Sequence, residues 1–290
     1  MTTAPVVAVT GANGYVGSLI VEALRENAKV LGLVRTPKSP NDIRWSFGSD
    51  VDSLAQTLRA YGVTHMIHAA WDMKANSDDE LMKICVAGSR ALLTACQQAG
   101  VQRYIFISTI SAFEGARSSY GRSKLKVEEL FRQAKGVVLR LGLVFGDRPA
   151  GTFGNLQNMV RSMRIIPLIG DGIAPQYLLH EQTLAEVMRR AVRGDFDGEE
   201  NPLTLAHPEP ITFRDLLRQM SRSAGRRVFL VPVPWRILYI ALRSSEQIGL
   251  KLNVRSDSVL SFVYQNLAPE FATMRLHCIN PIEFDPAPWV

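Results

Sequence analysis

Tyr120 and Lys124 stand four residues apart in Ser118-Ser119-Tyr120-Gly121-Arg122-Ser123-Lys124, a spacing that puts two side chains on one face of a helix. A tyrosine hydroxyl is a poor acid or base near neutral pH, and an adjacent ammonium favours its phenolate, so the pair has the makings of a proton shuttle. A Tyr and a Lys also fall at this spacing by chance, and the functional reading leans on what precedes them. The apolar run 104–108 ends in Ser108-Thr109-Ile110-Ser111, which sets small hydroxyls at the C-terminal edge of a sheet, where open α/β sheets bind their ligands. Thr109 is the residue expected to orient a carbonyl oxygen and share its developing charge with Tyr120. Ser108 and Ser111 compete for that role, and capping of the strand end is the plain alternative for each.

The first apolar run, Val6-Val7-Ala8-Val9, leads into Thr10-Gly11-Ala12-Asn13-Gly14-Tyr15-Val16-Gly17. Glycines at this spacing allow a tight turn and a close approach of backbone to a pyrophosphate, and the helix that follows offers unpaired N–H groups and a partial positive charge. A dinucleotide is the expected ligand; an oxidised nicotinamide ring beside Tyr120 would further favour its phenolate. Where NAD-selective sites carry an acid after the second strand, this chain has Leu33-Val34-Arg35-Thr36-Pro37-Lys38. The guanidinium of Arg35 suits a 2′-phosphate, which favours NADP, with NAD as the alternative if the strand end is merely solvated.

These groups need a scaffold. Short apolar runs at 6–9, 30–34, 65–69, 104–108 and 137–144 alternate with helical patterns at 15–25, 51–61, 79–99 and 119–134. That alternation predicts an α/β chain, a doubly wound Rossmann-like parallel sheet, with a smaller mixed C-terminal substrate-binding region. The NADP-binding domain is drawn at 1–146 and the substrate region at 147–290, with strand-like pieces at 202–206 and 228–231 returning to the sheet edge. Turns are expected at 146–154 and 167–175, and helices near 183–194, 212–224 and 235–249.

Composition narrows the function classes. Of 290 residues 47% are hydrophobic, enough for a large core. The 33 Lys and Arg read as scattered among 27 acids, so the net charge of +6 implies an anionic small molecule as readily as nucleic acid, and nucleic acid is not expected. Cys85, Cys96 and Cys278 are odd in number and far apart, and His68, His180 and His207 lack ligand spacing, so neither disulfides nor a metal is expected and a cytoplasmic location fits. Met1–Pro5 has no signal-peptide character, and no apolar stretch is long enough to span a membrane. Residues 235–250 carry apolar side chains at helical spacing; core packing is preferred over a membrane-surface helix, and no membrane partner is expected.

The motifs TGANGYVG (10–17), IHAA (67–70), ISTIS (107–111), YGRSK (120–124) and LRLGLVFG (139–146) occur in the order and approximate spacing of the extended short-chain dehydrogenases/reductases, the NAD-dependent epimerase/dehydratase family. The chain resembles its nucleotide-sugar epimerases and 4-ketoreductases over about the first 185 residues. The resemblance implies that Gly11, Asn13, Gly14, Tyr15 and Val16 line the pyrophosphate, Asp50 reaches the adenine, and Ala69 and Ala70 flank the ribose. It further implies that Lys124 also holds the nicotinamide ribose, that Leu143 lies beside the nicotinamide ring, and that Thr109, Tyr120 and Lys124 are the catalytic set. Residues 167–172 with 177–180 resemble the family's substrate-side turn, and dimers are common in it. The chain departs from the pattern at Cys85, where the family has asparagine, and in the short interval from Thr109 to Tyr120.

Asn155 and Arg255 are the substrate-side candidates, the latter resembling an arginine that grips a nucleotide diphosphate. The expected reaction is hydride transfer between NADP(H) and a carbonyl/alcohol carbon of a nucleotide-activated sugar, as a 4-ketoreductase or an epimerase. The alternatives are a reductase of a non-sugar carbonyl and a non-catalytic NADP-sensing protein.

Overall fold

A computed structural model describes residues 4–72, 78–148, 150–248 and 255–286. The expectations for residues 1–3 and for the end of the 235–249 helix at Gly249 lie outside these residues. The first half runs β1 (Val6–Thr10), α1 (Tyr15–Leu24), β2 (Lys29–Val34), β3 (Asp42–Arg44), α2 (Val51–Ala60), β4 (His65–His68) and α3 (Asp78–Leu81). A wide π turn (Met82–Val86) then leads to α4 (Ala87–Ala99), β5 (Arg103–Thr109), α5 (Ser119–Gln133), β6 (Val137–Leu141) and β7 (Leu143–Phe145). The second half holds α6 (Gly151–Ser162), β8 (Ile165–Ile169), β9 (Pro175–Gln176), β10 (Leu178–His180), α7 (Glu181–Arg193), β11 (Leu203–Leu205), β12 (Ile211–Thr212) and α8 (Phe213–Ser223). It closes with β13 (Phe229–Val233), α9 (Trp235–Gln247), α10 (Ser256–Val263) and α11 (Ala272–Leu276).

Seven strands form one parallel sheet in the order β11-β6-β5-β4-β1-β2-β3, the doubly wound arrangement the alternating pattern predicts. Side chains alternate across it. Val7 and Val9 pack with Leu19, Ile20, Leu184 and Val187 of α1 and α7, while Ala8, Leu31 and Met66 pack with Leu54, Leu58 and Leu92 of α2 and α4. Both faces are covered, so the strands are apolar throughout. The strand order reverses between β1 and β4, which opens a crevice at their C-terminal ends.

Several second-half expectations need correction. Leu203–Leu205 does return to the sheet edge on β6, but 229–233 does not; it pairs in parallel with β8 in a separate two-stranded sheet. The stretch expected as a glycine turn, 146–154, already contains the first turn of α6, and 165–169 is strand β8 despite Pro167. Proline is tolerated there because β8 is an edge strand. The apolar run 137–144 breaks at Gly142, where a Cβ would lie 2.4 Å from the Tyr177 carbonyl oxygen. Core packing does not explain α9: among its residues only Leu242 is fully buried, while Ile237 and Ile240 are 62% and 63% exposed.

Candidate functional site

A cavity of about 1410 Å³ opens at the crevice and continues into the second half, joining Gly11, Arg35, Thr109, Tyr120 and Leu143 to Tyr239 and Arg255. At one end β1 delivers the glycine turn. Gly11 has φ 70°, and a Cβ there would come within 2.9 Å of Ala70 Cα; a Cβ on Gly17 would lie 2.1 Å from the Gly11 carbonyl oxygen. Only glycine fits at these two positions. Helix α1 starts at Gly14 with no side-chain cap, which leaves its first N–H groups for a ligand. Gly11, Asn13, Gly14, Tyr15 and Val16 all line this part of the cavity, and the bare helix end with its glycine cradle fits a dinucleotide pyrophosphate. Asn13 donates to the Thr36 carbonyl at 3.3 Å, tying the turn to the end of β2.

A buried chain of hydrogen bonds that sequence reasoning missed holds the opposite rim. Thr10 Oγ1 accepts from the N–H groups of Ala69 and Ala70, both at 3.1 Å, and bonds to His68 Nδ1 at 2.7 Å. His68 Nε2 reaches Ser89 Oγ at 2.8 Å, which donates to the Cys85 carbonyl at 2.6 Å. Since the serine proton goes to Cys85, Nε2 carries the imidazole proton and Nδ1 accepts from Thr10. Burial, with the Lys124 charge nearby, pushes His68 down to about 3. The sequence signal was present, a polar Thr and His each ending an apolar strand.

Arg35 is exposed and lines the cavity together with Lys38. The carboxylate that follows, Asp42, accepts from the backbone N–H groups of Lys38 and Ser39 at 2.6 and 2.9 Å and does not line the cavity. Asp50, expected at the adenine, instead caps α2 by accepting from Ser53 N–H at 2.8 Å and lies outside the cavity lining. Asp at the first turn of a helix serves this role commonly.

At the other end α5 carries Tyr120 and Lys124. Tyr120 and Thr109 both line the cavity, with the Thr109 side chain near enough to lower the Tyr120 pKa. Ser108 is occupied elsewhere, donating at 2.5 Å to buried Glu128, which Arg140 grips with two nitrogens at 2.9 and 2.6 Å. Ser111 gives its N–H to Thr109 Oγ1 at 3.2 Å. Thr109 is thus the hydroxyl brought to Tyr120. Lys124 is buried beneath them; its ammonium donates to the Ile107 carbonyl at 2.7 Å and lies 4.1 Å from the centre of the Trp71 ring. Desolvation lowers its pKa to about 7, opposed by Cys85 and Glu128. Tyr120 is pushed up to about 12 because burial outweighs the lowering by Thr109. The protein's own groups therefore keep Tyr120 protonated, and the expected lowering by Lys124 is not found, since the ammonium is turned to the rings and the strand carbonyl.

Asp257 was not foreseen. Its two carboxylate oxygens accept from the backbone N–H groups of Ser119 and Tyr120 at 2.8 and 3.2 Å, while Ser118 caps Gly121 N–H at 3.1 Å. A residue of α10 thus fixes the start of α5. Its neighbour Arg255 lines the cavity and lies 3.9 Å from Glu246 of α9, whose carboxylate also takes the N–H and hydroxyl of Ser256. Asn155 is exposed on α6 and does not line the cavity, since α6 turns Phe153, Gly154 and Gln157 inward. Cys85 stands beside the Asp72 N–H at 3.5 Å, and burial raises its thiol to about 11.

Residues 7–202 match the model of the NAD dependent epimerase/dehydratase family, and the chain belongs to that family. It is an NAD(P)-dependent enzyme of the extended short-chain dehydrogenase/reductase type. It is 30% identical over 241 residues to the ceramide reductase of Caulobacter vibrioides, covering 79% of this chain and 74% of that one. It is 20% identical over 247 residues to the N-acetyl-alpha-D-glucosaminyl-diphospho-ditrans,octacis-undecaprenol 4-epimerase of Escherichia coli O157:H7, covering 78% and 74%. The fold matches a UDP-glucose 4-epimerase of Thermus thermophilus, solved in complex with NAD, at TM-score 0.71 and 22% identity over 98% of this chain and 96% of that one.

Proposed function

We propose that the chain is an NADP(H)-dependent carbonyl reductase with Tyr120 as the proton donor. The observation that carries this reading is that Thr109 and Tyr120 line one cavity with buried Lys124 and the glycine turn. The glycine turn with Arg35 and Lys38 would hold NADPH, which would furnish the hydride for the carbonyl carbon. Thr109 orients the carbonyl oxygen, and Tyr120, protonated at neutral pH, gives that oxygen its proton as the negative charge develops. Lys124, anchored on the Ile107 carbonyl at 2.7 Å, supports the cofactor side of the site, where it would hold the nicotinamide ribose. Arg35 and Lys38 take the 2′-phosphate, with no carboxylate on β2 to compete for the ribose hydroxyls.

For the substrate, the same site favours a non-sugar carbonyl with an apolar body. Trp71, Ile110, Leu260 and Phe262 line the substrate side, Asn155 is turned away from it, and the relative at 30% identity reduces a lipid by its name. A nucleotide-activated sugar remains the second reading because Arg117, Arg122 and Arg243 share that cavity with Arg255, a set able to hold a diphosphate. Calorimetric titration with NADPH and NADH, then with UDP, GDP and dTDP on the NADPH-saturated protein, separates them. Tight NADPH binding without nucleoside diphosphate binding, plus turnover of a long-chain ketone, is the expected result. Binding of a nucleoside diphosphate beside the cofactor transfers the assignment to sugars, and preference for NADH removes the role given to Arg35.

A further inference from the structure

The two-stranded sheet of β8 and β13 presents an apolar face to solvent. Its register sets Phe229 against Ile165 and Val231 against Pro167, and all four are exposed, Phe229 to 70% and Ile165 to 61%. The alternate residues Ile166 and Leu168 point inward to Phe153 and Leu217. A solvent-facing sheet surface is ordinarily polar. The chain turns at Pro234 directly into α9, where Ile237, Ile240, Ser244 and the capping Ile248 fall three or four residues apart and the three isoleucines are exposed. The other face of α9 carries Tyr239 and Arg243, which line the cavity, and buried Leu242. Glu246, the helix's one acid, is turned to Ser256 and Arg255. The helix is therefore a wall, with the substrate cavity on one side and apolar residues towards solvent on the other.

Charge marks what this wall faces. Between Phe213 and Arg243 the chain has seven arginines and a single acid, Asp215, a formal +6 that equals the net charge of all 290 residues. The basic residues are thus not evenly scattered. Arg226 and Arg227 lead into β13, and Arg161 and Arg164 lead into β8; all four are exposed and have no ion-pair partner among the described residues. Apolar side chains bordered by unpaired arginines complement a surface that offers acyl chains beneath phosphates.

We infer that this face seats the protein on an anionic lipid bilayer, with Phe229, Ile165, Ile237 and Ile240 at headgroup depth and the flanking arginines on lipid phosphates. This is docking on the surface, not spanning: among the described residues no helix is long and apolar enough to cross a membrane. The inference stands on the surface alone and does not depend on which carbonyl is reduced, so the two readings fail separately.

The test is flotation of the purified full chain with vesicles of phosphatidylcholine and of a phosphatidylcholine/phosphatidylglycerol mixture, without cofactor. The protein is expected to float with the anionic vesicles and far less with the neutral ones. Arg226→Gln/Arg227→Gln should weaken that binding about 25-fold, and high salt should weaken it too. Ile237→Asp/Ile240→Asp should weaken it at least about tenfold, and both variants should keep the NADPH affinity of the parent, since none of these residues lines the cavity. A parent chain that stays in solution with both vesicle types overturns the inference, as does binding untouched by either variant. A dimer in sedimentation that the isoleucine variant splits, with no vesicle binding, assigns the face to a second copy instead.

Discussion

Buried His68 makes a prediction whose size follows from its surroundings. Stacked on Phe106 and Phe131 at 5.7 Å and bonded at both nitrogens, it has no room for a second ring proton: Nδ1 must accept from Thr10. Its folded pKa of about 3 lies below the unfolded 6.5. Between those values the unfolded chain binds more protons, so stability is full above about pH 6.5, falls as pH drops through the interval, and levels off below about pH 3. At about 1.4 kcal/mol per unit the loss is on the order of 5 kcal/mol, a large share of a domain's net stability. Urea unfolding of the parent and of His68→Gln between pH 7.5 and pH 3, on the order of one-unit steps, isolates the contribution, because every other titrating group is common to both. At neutral pH the variant should be less stable by about 1–3 kcal/mol, from imperfect pairing of Thr10 and Ser89. That deficit should close and reverse as the parent loses stability in acid. Parallel curves for the two proteins would refute the assigned proton on Nε2 and the relay built on it.

Other perturbations probe the site itself. Tyr120→Phe should lower kcat by about 10²–10⁴ while leaving NADPH affinity within about twofold, measured by absorbance at the nicotinamide band and by calorimetry; a variant that turns over normally removes Tyr120 from the role of proton donor. Arg35→Ala should weaken NADPH binding by about 10- to 100-fold and leave NADH binding unchanged, and equal loss for both cofactors would place the 2′-phosphate elsewhere. Asp257→Ala should cost about 1–2 kcal/mol in unfolding experiments through the two N–H groups it leaves at the start of α5. It should also lower kcat more than it raises KM, whereas an unchanged kcat would mean that the cap serves stability alone.

The first half was legible because each strand and helix announces itself locally. Short apolar runs ended by glycine or polar residues, alternating with amphipathic stretches, leave few topologies once crossovers are right-handed. The second half lacks that redundancy. Pro167 and Gly170 imitate a turn, yet β8 exists because Ile166 and Leu168 are taken into a core with Phe153 and Leu217, a contact no local window contains. Glycines at 151 and 154 hid α6, and with it the fact that a helix burying Phe153, Gly154 and Gln157 must turn Asn155 outward. Asp50 had a local explanation in helix capping that competed with the family pattern. Asp257 acts across 138 residues and carries no local sign, whereas the arginine-rich segment from 213 to 243 was readable and vanished only when charge was averaged over the whole chain.

The hydroxyl trio at the end of β5 shows why pairs of residues need their neighbours before a role can be given. Ser108, Thr109 and Ser111 are nearly equivalent as sequence. Glu128 and Arg140 remove Ser108 from contention, because a buried carboxylate left short of a partner would cost more than the serine's freedom is worth. Ser111 spends its N–H on Thr109 and its hydroxyl lies 3.4 Å from Ser261 of α10. Thr109 alone is left with its hydroxyl against Tyr120. The same α10 holds Asp257 on the start of α5, so a segment that lines the cavity also sets where Tyr120 stands. On the proposed function, one short helix couples substrate fit to proton delivery, and changes at α10 made to alter specificity should alter kcat along with KM.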